Sequence, residues 1–543
     1  MSYIELRNLD YYYPREKNKS LKDINFQVEQ GDLILITGKS GSGKSTLAKC
    51  ITGAVPDFYG GTIGGNVYIN GQDIKNISQK ERAKEITMVF QDPERQLTMN
   101  RVHREIAFGL ENVGTPEEKI KRRVFESLQF TNISNIAYRD IVTLSGGEKQ
   151  KVAITAALSY MPKCIILDEP TSQLDPSAAD EVAAIIKKIN IELGITIIVI
   201  EQRVDRWFDL ADKISVMDQG NMIFYGEKES YYKSNDIRLL DFLPTYLKFA
   251  KSLKIEQKPQ DLKQMRKIMK KLKFKNPVNK AKNTAETIID IKHLVCNYDN
   301  YEAVKDLNIA IKKGDFLGIL GANGAGKSTF MKAIMGIKKY SGSIKISGRE
   351  VNKVKLRDMA ATIGYVSQNP NDYLTKETVY EEIKFTLDNF NIKDYTLIEK
   401  ILKSFDIYDV KDKNPRDLSG GQRQRVAIAS IMVLKPEILL LDEPTRGLDI
   451  SIKENLGNML KRINNDGTTI LLITHDTDFA GEFCSEFMLM FNGEKVAQGN
   501  GEDVLGDGIF YTTTINKLIR SSGKNIFTLK QAEKLYIENE EII

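Results

Sequence analysis

Residues Asp32–Gly53 read DLILITGKSGSGKSTLAKCITG: an apolar β-branched run, a glycine-rich turn, and a stretch that can continue as helix. The turn fits GxxxxGK[ST], a pattern with a physical rationale. Glycines let the backbone curl until its N–H groups face a phosphate, and the positive end of the following helix points at the same place. Gly38, Ser40, Gly41 and Gly43 build the curl. Lys44 is placed to reach β- and γ-phosphates, Ser45 to contact Mg²⁺, and Thr46 closes the motif.

The same turn recurs as GANGAGKST at Gly321–Thr329, with Gly321, Asn323, Gly324, Gly326, Lys327, Ser328 and Thr329 in the matching roles. Two further motifs are also written twice. LSGGEKQKVAI begins at Leu144 and LSGGQRQRVAI at Leu418; IILDEPTSQLD ends at Asp175 and LLLDEPTRGLD at Asp449. Kept order and nearly constant spacing mean a duplicated domain. Strand-rich and helix-rich stretches alternate within each copy, so the expected fold class is α/β, with a largely parallel central sheet. The division read from the sequence is a first domain over 1–228, a basic segment over 229–286, a second domain over 287–507 and a helical tail over 508–543. Pro244, Pro259 and Pro277 interrupt the middle segment, leaving room for two short amphipathic helices, LLDFLPTYLKFAKSL and DLKQMRKIMKKLKF.

Composition sets outer limits. At 543 residues, 41% hydrophobic and 28% charged, the chain is an ordinary globular one with more than one core. Cys50, Cys164, Cys296 and Cys484 have no CxxC spacing, which argues for buried, reduced thiols and against a disulfide scaffold or zinc finger. The longest apolar runs, at 194–200 and 437–441, read as buried strands, and the start of the chain lacks a signal-peptide pattern. The net charge of +5 is uneven: residues 248–282 hold 13 Lys/Arg against 2 Asp/Glu. Such a run is commonly a solvated surface, and it also suits nucleic acid or an anionic membrane.

Each P-loop has an acidic partner. Asp168 and Asp442 end apolar strands and offer the carboxylate oxygen a hard cation wants. Glu169 and Glu443 follow and can orient or deprotonate an attacking water. Ser-Gly-Gly ahead of a helical run makes a second backbone nest, which calls for a second anion contact.

With these motifs in place the chain resembles the ATP-binding cassette (ABC) ATPases. The resemblance spans both copies and implies ATP and Mg²⁺ as ligands and ATP hydrolysis as the activity. It also implies a helical subdomain in each copy and head-to-tail pairing of the two. Ser145 and Gly147 would then complete the site of the second copy, and Ser419 and Gly421 that of the first. Gln91 and Gln368 match the glutamine that touches Mg²⁺ and the membrane partner, and Asp175 and Asp449 match the D-loop aspartate. Tyr13 and Tyr298 stand where the family stacks an aromatic on adenine, with Tyr11 and Tyr12 as competitors in the first copy. One position departs from the family. TTILLITHD supplies the switch histidine as His475, but TIIVIEQRVD supplies Gln202, which can donate a hydrogen bond and cannot carry positive charge near neutral pH. The expectation is therefore unequal sites, with the Gln202 site slower. His103, His293 and Trp207 read as packing or surface residues.

Within that family, QDPERQL followed by VHREIAFGLEN (Gln91–Asn112), its echo QNPNDYLTKETVYEEIKF, and TRGLD resemble the ATPases of energy-coupling factor (ECF) importers of vitamins or transition-metal ions. That resemblance implies two membrane partners, a shared transmembrane coupling protein and a small substrate-capture protein. It also implies a peripheral location on the cytoplasmic face of the membrane. The alternatives are a fused ATPase of a sugar or peptide importer, and a tandem-cassette translation factor on ribosomes. Against the latter, the basic segment is broken by prolines, so nucleic acid is not the expected partner.

Overall fold

The computed structural model describes residues 2–234, 236–255, 259–277, 284–298 and 301–537; the remaining parts of the expected linker and tail lie outside the described residues. Contacts divide the chain into two compact units, 1–264 and 265–543. The boundary between them falls inside the basic segment.

Each unit is built on a six-stranded sheet. In the first, the order is Asn221–Glu227, Lys213–Asp218, Leu33–Gly38, Thr196–Ile200, Cys164–Asp168, Ile86–Val89. All neighbours are parallel except the first pair, which is a hairpin. The second unit repeats the order with Glu494–Gly499, Glu486–Phe491, Phe316–Leu320, Thr469–Ile473, Ile438–Asp442 and Ile363–Val366, again antiparallel only at the hairpin. The strands behind the motifs are buried along their whole length, as continuous apolar runs in a covered parallel sheet should be.

A four-stranded antiparallel sheet packs on each central sheet, made in the first unit by Leu21–Val28, Ile4–Tyr12, Thr62–Ile69 and Gln72–Asp73. Leu6, Leu9, Phe26 and Val67 meet Ile34, Ile36 and Leu47 in one apolar core. On the other side lies the expected helical subdomain. Val102–Asn112, Glu117–Phe130 and Gly146–Ser159 share a core that includes Ile106, Leu128 and Val152. Trp207 is fully buried, with its indole N–H 3.4 Å from Thr171 Oγ1, so it is a packing residue. His103 lies 3.0 Å from the Ala137 carbonyl, and exposed His293 pairs with Asp306. The four cysteines are free thiols, three of them fully buried.

The duplication extends past the central domains. Thr245–Ser252 and Leu262–Met269 are the two helices expected in the middle segment, and Thr514–Ile519 and Leu529–Leu535 take their place in the tail. Thr245 docks its N–H and hydroxyl on Asp205 at 2.6 and 3.0 Å, and Thr514 does the same on Asp478 at 2.7 and 2.8 Å. Buried Tyr246, Leu247 and Phe249 make the first appendage part of its unit. Among the described residues no helix is long and apolar enough to cross a membrane.

Candidate nucleotide sites

The central strands end at one edge of each sheet, and the chemistry collects there, as expected for an open α/β sheet. The P-loops lead from Leu33–Gly38 into the helix Lys44–Ile51, and from Phe316–Leu320 into Lys327–Ile334. Gly43 and Gly326 have φ of 102° and 92°, and a Cβ there would lie 2.8 Å from the Ser20 carbonyl and 2.2 Å from that of Ala303. Only glycine suits such a place. Lys44 Nζ donates to the carbonyls of Gly38 and Lys39 at 2.8 and 2.7 Å, and Lys327 Nζ to those of Gly321 and Ala322, both at 2.8 Å. The ammonium groups are thereby centred in their loops, where phosphate oxygens would meet them.

Asp168 and Asp442 lie at the strand ends beside the P-loop hydroxyls. Burial pushes both carboxyls above the usual range, opposed by hydrogen bonds from Ser45 and Ser328 and by the lysines. Asp168 Oδ1 is buried with no hydrogen-bond partner. A hard-oxygen pair, serine hydroxyl and carboxylate, with an unsatisfied acceptor fits Mg²⁺. Ser45 and Asp168 would hold the ion in the first site, and Ser328 and Asp442 in the second. Bound there, Mg²⁺ supplies charge neutralisation to the β- and γ-phosphates.

Glu169 and Glu443 occupy the left-handed region, at φ 49° and 51°, each with its N–H donated to the facing strand, Ile200 and Ile473. A glutamate in this region is strained backbone, a common mark of functional sites. Their surroundings differ. Glu169 Oε2 accepts from Gln91 Nε2 and Oε1 from Gln202 Nε2, both at 2.6 Å. Glu443 Oε2 instead lies 2.8 Å from His475 Nδ1. Burial, then the negative charges of Glu201 and Asp168, push the Glu169 carboxyl up to about 7.

The second site opens as a cleft of about 250 Å³. Its wall brings together Tyr298, Asn323, Gly324, Gly326, Lys327, Ser328, Thr329, Gln368, Asp442 and Glu443, every one expected from sequence, and adds Tyr301, Ala303 and Ile473. Lys338 Nζ stands 3.3 Å from the Tyr298 ring centre. In the first unit Tyr11 is fully buried and bonded to the Gly60 carbonyl, while Tyr13, packed edge-on against it at 4.9 Å, places its hydroxyl 3.1 Å from Thr46 Oγ1 in the P-loop motif.

Ser145 and Ser419 cap the helices Gly146–Ser159 and Gly420–Met432, each in a reciprocal capping box, with Glu148 and Gln422. Gly147 and Gly421 have a packing role within their units. A Cβ would fall 3.0 Å from Ala178 Cβ at the first and 2.6 Å from Ile452 Cγ2 at the second. Asp175 and Asp449 cap the next helices.

Three residues escaped the sequence reading. Tyr365 hydrogen-bonds Asp442 in the second site. Thr171 donates to Glu201 at 2.7 Å, and Glu201 is 1% exposed beside Glu169. An acidic residue ending a wholly apolar strand, where the other copy has Thr474, was the available signal.

Strand, P-loop, metal-binding carboxylate and adjacent glutamate define two P-loop nucleoside triphosphatase domains. The ABC transporter family profile matches residues 21–172 and again 304–446. An ABC transporter ATP-binding protein of Clostridium tetani is 41% identical over 436 residues, covering 80% of this chain and 99% of that one. One from Bacillus cereus is 34% identical over 531 residues, 96% of this chain and 95% of that. The chain therefore belongs to the ABC transporter family, as a tandem two-cassette ATPase that binds ATP with Mg²⁺. The archaeal ribosome recycling factor aABCE1, solved in complex with the ribosomal stalk protein aP1, shares the fold, with a TM-score of 0.59 at 23% identity over 91% of this chain and 90% of that one.

Proposed function

We propose that this chain is the energy-coupling ATPase of an ECF-type importer, bound peripherally at the cytoplasmic face of the membrane. Its partners would be a shared transmembrane coupling protein and a small substrate-capture protein for a vitamin or a transition-metal ion. The carrying observation is the stretch Gln91–Asn112, whose residues brace the Q-loop region. Gln96 accepts from the Phe90 N–H at 2.9 Å and donates to the Met88 carbonyl at 3.2 Å. Buried Glu105 accepts from Thr98 and Met99 N–H at 2.9 and 2.7 Å, and Glu382 does the same for Thr375 and Lys376, both at 2.8 Å. A rigid segment beginning at the glutamine that senses the nucleotide suits the transfer of force to a partner.

In this reading Ser145 and Gly147 act on ATP held by the second cassette, and Ser419 and Gly421 on ATP held by the first. ATP contacts made only in the closed arrangement shift the population toward closure, and hydrolysis withdraws them. The two sites are unequal. The one with Glu443 and His475 carries most turnover, so Glu443→Gln removes most steady-state ATPase and Glu169→Gln removes less than half; equal losses would refute the inequality. Purification of the tagged chain from membranes in mild detergent, with mass spectrometry of its companions, tests the role. One multi-span protein with small hydrophobic proteins is the expected outcome. Ribosomal proteins and RNA, with none of the chain in the membrane fraction, would overturn it.

A further inference from the structure

Glu201 is a buried acid beside Glu169, at the end of the strand next to the one that carries Asp168. Its Oε2 accepts the Thr171 hydroxyl at 2.7 Å, its Oε1 accepts the Gln202 backbone N–H at 3.1 Å, and its own N–H donates to the Ile36 carbonyl at 3.0 Å. It thus ties together the ends of three strands: the one that feeds the P-loop, the one that ends at Asp168, and its own. The residue it fixes, Gln202, holds one oxygen of Glu169, while Gln91 holds the other. Both acceptor oxygens of the glutamate are therefore engaged by short amide hydrogen bonds. A water to be activated must either displace one of them or share an oxygen that an amide already holds in a fixed orientation.

The second cassette lacks this brace. Thr445 and Thr474 stand at the matched places with hydroxyls 3.4 Å apart, and His475 approaches one oxygen of Glu443. We infer that Glu201 is a positioning residue which, through Gln202, clamps Glu169 and keeps the first site slow, so that the missing histidine is only part of the cause. A fixed negative charge in this low-dielectric corner also opposes the charge that builds on a reacting phosphate. The inference rests on the unequal-site reading and deepens it.

The test uses the full chain with Glu443→Gln, so that turnover reports the first site. Into it go Gln202→His, Glu201→Thr, and both together. Gln202→His alone and Glu201→Thr alone are each expected to raise kcat by about twofold, and the pair to raise it about tenfold, with KM for ATP steady. A merely structural role would lower the melting temperature and leave kcat in place. Full recovery by Gln202→His alone, or a double variant no faster than its parent, overturns the inference. Should Glu201→Thr fail to fold, Glu201→Gln keeps the volume and removes the charge; with Gln202→His it should gain about threefold, and no gain counts against the clamp. The parent reading fails separately, if Glu443→Gln leaves most wild-type ATPase intact.

Discussion

The two glutamates that follow the metal-site aspartates share a backbone and differ in company. Glu169 and Glu443 follow matched strands at nearly the same left-handed φ. Around the first are Gln91, Gln202 and Glu201; in the second, Gln368 lines the same cleft and His475, Thr445 and Thr474 stand where the first has Gln202, Thr171 and Glu201. What duplication has preserved is the part that would grip phosphate and metal: glycine conformations, lysine hydrogen bonds, and the Ser–Asp pairs. What has diverged is the set of side chains around Glu169 and Glu443. In the proposed reading this separates nucleotide binding from nucleotide turnover within one chain, with one cassette holding and the other cycling.

The largest test of that contrast is His475→Gln, which gives the second site the first site's residue. General acid–base partners contribute about 10²–10⁴-fold, and removing the imidazole should lower steady-state ATPase by about 10²-fold. A loss under twofold would erase the contrast. Next comes Tyr298→Ala. Tyr298 is 44% exposed on the rim of the second cleft, so its loss should raise KM for ATP by about tenfold with kcat little changed, as for uniform binding. A fall in kcat instead would give the ring a role beyond binding.

A third test reads acid balance. The Glu169 carboxyl is raised from 4.5 to about 7, so the folded state keeps a proton that the unfolded state releases. Below 4.5 both states are protonated and nothing is lost. As pH climbs from 4.5 to about 7, folding loses stability, and above that the penalty is complete. In metal- and nucleotide-free buffer the melting temperature of the wild type should fall relative to that of Glu169→Gln across this window. Parallel curves would mean that burial beside Glu201 is not felt. The smallest effect is structural. Gly421→Ala meets Ile452 Cγ2 at 2.6 Å and Gly147→Ala meets Ala178 Cβ at 3.0 Å. The first should destabilise its cassette by about 1–3 kcal/mol and the second by less, measured by thermal melting. The reverse order would show that the signature helix of the second cassette yields more readily.

The linker shows where sequence pattern stops short. Its charge made it look like a separate basic element. Its structural meaning lay in Thr245 and Tyr246, which bind Asp205 and Asp209 some 40 residues earlier and fold its first part, to residue 264, into the first unit. Lys248, counted in the basic run, is partly enclosed and donates to the Asp241 carbonyl at 2.7 Å. The tyrosine triplet is a similar case. Alternation along the strand cannot rank three consecutive aromatics, whereas packing sends Tyr11 inward and Tyr13 to the P-loop.

Sequence alone determined the α/β class, the duplication, both P-loops, their carboxylates and the odd glutamine at 202. Each is a local pattern, because a phosphate loop needs its glycines, lysine and helix within a few residues of one another. Only the tertiary structure decided that Glu201 and Thr171 brace Gln202 against Glu169, that Tyr365 reaches Asp442, and that each cassette carries an appendage docked by a threonine on an aspartate. These contacts join strand ends and loops tens of residues apart. The sheet brings them together, and no spacing along the chain encodes which side chains will meet.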